Sequence, residues 1–236
     1  MCTVSFINTG DKVIITSNRD ETIARGIALP PQTYMVNNYK IIFPRDPKAG
    51  GTWFAVKEND TIGVLLNGAD KKHTHNPPYA KSRGLILLDI ISTDSPIEYW
   101  NTASLDNIEP FTIVSYSNNK LHQMRWDGNN KNLIELNPEQ NHIWASATLY
   151  SAEVQKKRKE LFSEFLNNTK NADKKSILQF HQFTEENDKE NGLVINRHGI
   201  LKTVSITQAI FHKNKIDVYY KDLISGSEKT KTVVTL

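Results

Sequence analysis

The order of strand-like and helix-like segments is the feature that most constrains the fold of this chain. Residues 2–8 and 12–18 alternate apolar and polar side chains on either side of Asn8-Thr9-Gly10-Asp11, a pattern that predicts a β-hairpin. Residues 52–56 and 62–66 predict a second hairpin around Glu58-Asn59-Asp60. Further strands are predicted at 111–116, 120–126, 132–136, 202–206, 209–212, 216–221 and 231–236, and helices at 79–91, 151–167 and 172–186.

This order predicts the fold class. Two β-rich segments bracket grouped helices and do not alternate strictly with them, which favours antiparallel sheets with helices on their outer faces, an α+β protein. A chain of 236 residues is long enough for one well-filled core, and no stretch has the composition of a linker. We therefore expect a single domain over residues 1–236.

Composition and charge exclude several function classes. The net charge is only +3, with 29 basic residues interleaved with 26 acidic ones, so no nucleic-acid partner is expected. The densest basic stretch, residues 156–159, is predicted to form a solvated helix face. No apolar run approaches the ~20 residues of a membrane span. Asp11 and Lys12 interrupt the first apolar segment before signal-peptide length, and Cys2 is the only cysteine, so a cytoplasmic location without disulfides is expected.

The position of Cys2, directly after Met1, suggests a chemical role. Aminopeptidases remove an initiator methionine that precedes a small residue, and the chain would then begin with an α-amine beside a thiol. An α-amine has a pKa of roughly 7.7–8.0 and can accept the thiol proton near neutrality, whereas a lysine amine, at about 10.4, cannot. This pairing is typical of N-terminal-nucleophile hydrolases. The alternative is a buried structural cysteine, because residues 2–6 also alternate as a half-buried strand does.

Several short motifs follow one another along the first part of the chain. They are Met1-Cys2, Asn18-Arg19-Asp20-Glu21, Arg45-Asp46 ahead of Gly50-Gly51-Thr52-Trp53, Asn67, and Ser82-Arg83-Gly84. In this order they resemble the NRDE family, also called Transport and Golgi organisation 2. The resemblance implies an N-terminal-nucleophile (Ntn) fold, a four-layer αββα sandwich of two antiparallel sheets. It also implies similarity to cysteine-type acylases such as penicillin V acylase and bile salt hydrolase, which cleave amide bonds in small substrates.

The resemblance gives roles to five candidate catalytic residues. Cys2 would attack a carbonyl with its own amine as base and later as acid, and Arg19 would favour the thiolate by lowering the thiol pKa. Asp20 or Glu21 would hold and orient the α-ammonium. Asn67 would donate a side-chain N–H to the oxyanion, a contact of a kind worth roughly 3–4 kcal/mol.

Each candidate has a structural alternative. Arg19 with the neighbouring carboxylates is also typical of an ion-pair network at a strand end. Trp53 is more often a core residue than part of a ligand site, and Asn67-Gly68 is a common turn dipeptide. Arg83 is either a helix-start residue that pairs with a carboxylate or a group that binds an anionic part of a substrate.

Two positions depart from the pattern of the family. Ser146, in the segment after His142, stands where the family usually has an asparagine that positions the nucleophile, although its hydroxyl can still form a hydrogen bond. Lys202 stands where the family tends to have an arginine, which keeps the charge but loses the bidentate fork. Together with Trp53 and Arg83, these two residues complete the predicted substrate-binding set.

The sequence predicts neither a metal site nor a cofactor. His73 and His75 have His-x-His spacing but no third ligand nearby, so they are interpreted as solvated loop residues. The favoured hypothesis is an amide hydrolase that acts on a small molecule or a peptide-like substrate through Cys2. The alternative is a non-catalytic binding or trafficking protein for haem or another small hydrophobic ligand, because eukaryotic members of the family are associated with secretory organisation and haem handling. The oligomeric state is left open.

Overall fold

Two β-sheets form the centre of the computed structural model, which describes residues 3–234. The first sheet has the order β10-β1-β2-β12-β13-β14, with β11 paired to β12, and the second runs β3 to β9 in sequence order. All of these pairings are antiparallel. The strands are β1 (Thr3–Asn8), β2 (Val13–Thr22), β3 (Leu29–Val36), β4 (Tyr39–Arg45), β5 (Phe54–Lys57), β6 (Thr61–Asn67), β7 (Phe111–Ser117), β8 (Lys120–Trp126), β9 (Lys131–Leu136), β10 (His142–Ala145), β11 (Asn196–Arg197), β12 (Leu201–His212), β13 (Lys215–Asp222) and β14 (Glu228–Val234).

The helices cover the outer faces of the two sheets. They are α1 (Arg83–Ile91), α2 (Pro96–Thr102), α3 (Ala152–Asn168) and α4 (Lys174–Phe183), with a short 3₁₀ turn at Ile23–Arg25. Helix α1 packs on β5 and β6 of the second sheet, whereas α3 contacts β10 and α4 contacts β2 and β12 of the first. The layer order is therefore αββα, which confirms the predicted fold class.

Alternating side chains of the strands fill two hydrophobic layers. Between the sheets, Phe6 of β1 reaches Tyr116 of β7, with ring centroids 5.5 Å apart. Beneath the helices, Ile14 of β2 belongs to a smaller cluster with Phe162 of α3 and Phe180 of α4. Full burial of side chains of this size contributes roughly 1.5–3 kcal/mol each, so both layers hold the sandwich together.

Most elements predicted from periodicity exist, with changed boundaries. The first hairpin is present, and β2 continues to Thr22, so residues 18–21 form the end of that strand. Helix α1 begins at Arg83, four residues later than predicted, because Ser82 caps it by accepting a hydrogen bond from the N–H of Leu85 at 3.4 Å. The strands predicted at 202–206 and 209–212 are one strand, β12, with an irregularity between Thr203 and Ser205.

Strands β3, β4, β10 and β11 and helix α2 were absent from the prediction. Strand β3 contains Pro30 and Pro31, residues that argue against a central strand, and β3 is indeed an edge strand. Helix α2 starts at Pro96 after its cap Ser95, because proline fits the first helical position. Strand β10 has only four residues, and all are half-buried.

The interpretation of residues 156–159 as a solvated face is wrong at one position. Lys156, Lys157 and Lys159 of α3 are exposed, but Arg158 is 1% exposed and lies under the helix. A run of like charges does not reveal which member points inward. Only the helical register against the first sheet does so.

Candidate active site

A polar cavity of about 390 Å³ opens where β2, the β4–β5 loop, the end of β6 and the start of α1 meet. Five of the predicted site residues line it: Arg19, Glu21, Trp53, Asn67 and Arg83. Four further charged residues contribute to the same lining, namely Arg25, Asp46, Lys81 and Glu109. The cavity thus gathers residues that are up to 90 positions apart in the sequence.

Arg19 is the buried cation at the base of this cavity. Its Nη2 lies 2.8 Å from Oδ2 of Asp46 and 3.6 Å from Oε2 of Glu21, and its Cζ lies 4.2 Å from the centre of the Trp53 ring. Burial lowers the pKa of Arg19, and the charges of Glu21 and Asp46 oppose that shift. Two carboxylates and an aromatic face therefore hold the guanidinium in a fixed plane.

Asp46 organises the cavity, although the sequence analysis assigned it no role of its own. Oδ1 accepts hydrogen bonds from the N–H groups of Lys48 at 3.0 Å and Ala49 at 2.8 Å. Oδ2 accepts from Nη2 of Arg19 at 2.8 Å and Nε of Arg25 at 2.9 Å. Burial would raise the pKa of Asp46, but these hydrogen bonds and positive charges outweigh burial and hold the pKa below its ordinary value.

Asp20 lies on the opposite face of β2, because successive strand residues alternate between faces. Its Oδ2 accepts a hydrogen bond from the hydroxyl of Tyr150 at 2.6 Å, and its Oδ1 accepts from Oγ1 of Thr203 at 2.5 Å. The structure therefore separates the two predicted carboxylates. Glu21 lines the cavity, and Asp20 is 3% exposed on the side of the sheet that faces the helices.

The start of β1 lies between two neighbouring strands beside these groups. Thr3 pairs with Asn18 of β2 and with Ala145 of β10. Arg158 of α3 donates from Nη1 to Oγ1 of Thr3 and from Nη2 to the carbonyl oxygen of Gly192 at 2.7 Å. The predicted nucleophile Cys2 lies outside the described residues, and its role stays a prediction.

Ser146 and Asn67 meet in a way that the sequence did not indicate. The Ser146 hydroxyl donates to the backbone carbonyl of Asn67 at 2.7 Å. Asn67 ends β6 and pairs with Phe111, and the following Gly68 has a φ of 82°. Ser146 thus fixes the backbone from which Asn67 faces the cavity, while Ser146 itself is not among the described lining residues.

Arg83, the first residue of α1, forms a half-buried ion pair at the cavity wall. Its Nη2 lies 2.9 Å from Oε2 of Glu109, and its Nη1 donates to the carbonyl of Pro110 at 3.2 Å. Oε1 of Glu109 also lies 3.1 Å from Nε2 of His73 and 3.2 Å from Nδ1 of His75. Burial would raise the pKa of Glu109, but Arg83 and the two histidines hold it below its usual value.

The two histidines are therefore not both solvated. The side chain of His73 is 13% exposed and that of His75 is 65% exposed, so the interpretation as solvated residues is wrong for His73. Among residues 3–234, no group of three His, Cys, Asp or Glu side chains is arranged to hold a metal ion.

Lys202 lies apart from the other predicted substrate-binding residues. It pairs with Glu21 across β12 and β2, and it is not among the described residues that line the cavity. Tyr150 and Glu109 were not predicted as site residues. The aromatic and acidic residues at these positions carried no local pattern that would have marked them.

The stacked antiparallel sheets and their outer helices define the class of the protein as an Ntn-hydrolase-like fold. A Caenorhabditis elegans N-acylethanolamine-hydrolyzing acid amidase ortholog has the same architecture, with a TM-score of 0.61 and 12% sequence identity over 88% of this chain and 92% of that one. A mutant of the conjugated bile acid hydrolase from Clostridium perfringens gives a TM-score of 0.56 and 12% identity over 98% of this chain and 92% of that one.

The sequence comparison gives the family. The profile of the Transport and Golgi organisation 2 family matches residues 1–221, and the chain belongs to that family. No curated protein matches the chain by sequence. Within residues 3–234, no helix has both the length and the apolar character needed to cross a membrane.

Proposed function

We propose that this protein is an Ntn hydrolase that cleaves the amide bond of a small molecule or a peptide-like substrate, with Cys2 as nucleophile after removal of Met1. The observation that carries the proposal is the placement of Thr3. The residue bonded to Cys2 pairs with Asn18 on β2, one position before Arg19, whose side chain lines the polar cavity. An N-terminal nucleophile needs such a neighbourhood of charge at the end of a strand.

The proposed reaction has two stages. The thiolate of Cys2 attacks the amide carbonyl, and the α-ammonium then protonates the leaving amine as the C–N bond breaks, which leaves a thioester. In the second stage the α-amine takes a proton from water, hydroxide adds to the thioester, and the carboxylic acid leaves as the thiol is restored. Atoms and protons balance over the cycle, because one water is consumed per amide bond.

The surrounding side chains have distinct roles in this proposal. Arg19 favours the thiolate, because a guanidinium lowers the pKa of a nearby thiol. The Asn67 amide donates to the oxyanion, with its backbone held by Ser146. Asp20, fixed by Tyr150 and Thr203, orients the nucleophilic end of the chain from the other face of the sheet. The substrate is a small molecule, and the location is cytoplasmic with no nucleic-acid partner.

The test compares one protein before and after its amine is freed. An N-terminal tag followed by a protease site whose cleavage leaves Cys2 as the first residue keeps the thiol constant and changes only the α-amine. Intact mass after exposure to a mild acylating ester is expected to show one rapid acylation only after cleavage, and none in Cys2→Ala. Turnover of amide substrates should follow the same pattern.

The opposite result would favour the alternative function. Equal acylation before and after tag removal, or an unreactive Cys2, would contradict the hydrolase proposal. One observation favours a non-catalytic ligand-binding or trafficking protein: Ser146, at the position where the family usually has an asparagine, has its hydroxyl occupied by a backbone carbonyl. Saturable binding of haem or another hydrophobic ligand by Cys2→Ala, without turnover by the wild type, would support that function.

A further inference from the structure

The lining of the cavity is dominated by charge. Its described residues include four cationic and three anionic side chains, which leaves one unit of positive charge in excess. Its apolar and aromatic side chains among the described residues are only Ala49, Trp53, Leu65 and Tyr79. A long alkyl chain gains free energy only where it leaves water for an apolar surface, and desolvation of charged walls opposes its binding. The lining therefore disfavours a lipid or a sterol.

Two arginines at the rim have positions suited to an anion. Arg25 donates Nε to Asp46, and among residues 3–234 its two terminal nitrogens form no described hydrogen bond. The Arg25 side chain is 37% exposed and lines the same cavity as Arg83. Burial is the main cause of the lowered pKa of Arg83. The positive charge of Arg25 lowers that pKa further, so the two cations are close enough to repel each other.

The first turn of α1 adds backbone donors beside these side chains. Ser82, Arg83 and Gly84 all line the cavity, and α1 has nine residues. The N–H of Leu85 is already satisfied by Ser82, whereas the N–H groups of the two preceding residues have no acceptor within residues 3–234 and can meet a ligand. A helix start of this kind favours an anion through its N–H groups and its dipole.

A second and independent observation points to a ligand oxygen in the same cavity. Nε1 of Trp53 and Nη1 of Arg19 are buried and have no hydrogen-bond partner among the described residues, and both side chains line the cavity. Trp53 is 3% exposed and Arg19 is 2% exposed. A buried donor without an acceptor destabilises the folded protein, so acceptor atoms of a bound molecule would stabilise this wall.

We propose that the substrate class of this site is a compact amide that carries a carboxylate, which binds Arg25 and Arg83 at the first turn of α1 while its other oxygens reach Trp53 and Arg19. This inference rests on the proposed hydrolase function, which supplies the amide. It predicts a more compact substrate than the N-acylethanolamines and conjugated bile acids to which the names of the structural neighbours refer.

Binding is measured first, in a protein that cannot turn over. Isothermal titration of Cys2→Ala uses two matched pairs of probes: N-succinyl-p-nitroanilide against its methyl ester, and N-butyrylglycine against N-butyrylglycinamide. N-dodecanoyl-p-nitroanilide tests the lipid alternative. We expect at least one carboxylate to bind about tenfold more tightly than its neutral partner and the dodecanoyl amide to bind more weakly than that carboxylate, with the preference reduced by salt.

Variants locate the carboxylate. Arg25→Gln removes a half-exposed cation, and Arg83→Lys keeps a positive charge beside Glu109 but loses the fork. Each, in the Cys2→Ala background, is expected to reduce the preference for the carboxylate about fivefold or more. Arg45→Gln is the matched control, because Arg45 is exposed, lies next to the same loop and is not among the described lining residues. It should leave the preference unchanged.

The outcomes separate this inference from the proposed function. Equal or tighter binding of the neutral or dodecanoyl probes, or no binding of either carboxylate at about 10 mM, would overturn the inference. If Cys2→Ala prefers the carboxylate but the wild type does not cleave it, the substrate class stands and the hydrolase does not. If the wild type cleaves the dodecanoyl amide best, the hydrolase stands and the substrate class does not.

Discussion

Arg19 and Arg158 are two buried arginines with opposite surroundings. They are 2% and 1% exposed, and each guanidinium lies on an aromatic ring, 4.2 Å from the Trp53 centroid for Arg19 and 3.6 Å from the Tyr150 centroid for Arg158. Burial of a charge is costly unless the charge is paired or hydrogen-bonded, so each needs compensation. The kind of compensation differs.

Arg19 is compensated by carboxylates, and Arg158 by neutral groups. No carboxylate among residues 3–234 lies within 4.0 Å of Arg158, which donates instead to Thr3 and to the carbonyls of Asn191 and Gly192. These contacts join α3, the start of β1 and the 191–192 segment. The difference indicates that Arg158 holds the architecture together, whereas Arg19 keeps a charged network open to a cavity.

The largest expected effect concerns stability at Arg158. Arg158→Ala removes the donor from three acceptors at once, and we expect the free energy of unfolding to fall by about 3–5 kcal/mol. Urea unfolding followed by circular dichroism measures this change. Lys159→Ala, one residue along the exposed face of α3, is the control and should change stability by less than about 0.5 kcal/mol. A loss at Arg158 below about 1 kcal/mol would contradict its structural role.

The second prediction concerns Arg19, where we expect a large loss of activity and a small loss of stability. Arg19→Lys keeps the charge but loses the planar guanidinium that pairs with Asp46 and lies over Trp53, so we expect kcat/KM for an amide substrate to fall about 100-fold, equivalent to about 2.7 kcal/mol. The unfolding free energy should change by only about 1 kcal/mol. Arg158→Lys is the matched comparison, with a larger stability loss and a smaller activity loss. Identical profiles for the two lysine variants would remove the distinction between the arginines.

The third prediction concerns the carboxylate that Arg19 shares with Arg25. Asp46→Asn points an amide N–H at two guanidinium groups, and we expect a stability loss of about 2 kcal/mol at pH 7. The folded pKa of Asp46 lies below its ordinary value, so its contribution is full above the unfolded pKa of about 3.9 and is lost as the pH falls through the folded pKa. The gap between wild type and variant should therefore narrow at pH 3. An equal difference in unfolding free energy at pH 7 and pH 3 would show that the charge of Asp46 does not cause the stability loss of the variant.

The smallest expected effect, expressed as free energy of unfolding per pH unit, lies on the Arg158 side of the sheet. His181 is fully buried and accepts or donates hydrogen bonds with Ser5 at 2.7 Å and Asn18 at 2.6 Å. Burial, and then the charge of Arg158, lower the pKa of His181 to about 3. The contribution of neutral His181 is full above the unfolded pKa of about 6.5 and is lost as the pH falls towards 3, at about 1.4 kcal/mol per pH unit.

Chemical unfolding at pH 7, 6 and 5 measures this slope. His181→Gln retains hydrogen-bonding capacity but does not titrate. We expect the loss of unfolding free energy per pH unit over this range to be smaller in this variant than in the wild type by about 1.4 kcal/mol. A matching slope in wild type and variant would assign the pH dependence to other groups. The effects of Asp46 and His181 fall in different pH ranges, so the two arginine environments can be examined separately.

The sequence was sufficient for the fold because the fold depends on local periodicity. Alternation in β1 and β2 and the turn between them predicted the first hairpin, and the order of motifs predicted that Arg19, Asn67 and Arg83 would converge. The partners of these residues could not be predicted in the same way. Asp46 and Glu109 meet Arg19 and Arg83 only through tertiary packing, which leaves no periodic signal in the chain. Arg158 was predicted to face solvent, because a run of charged residues does not indicate which of them is buried.

The close contact between Gly51 and Gly84 restricts how this protein can change its specificity. A Cβ at position 51 would lie 2.5 Å from the carbonyl carbon of Gly84, and one at position 84 would lie 2.7 Å from the carbonyl oxygen of Thr52. Backbone on both sides cannot yield, so neither position tolerates a side chain. New ligand preferences must therefore arise from replaceable side chains such as that of the half-buried Ala49. Any descendant or engineered variant with such a change would keep the backbone around the cavity unchanged.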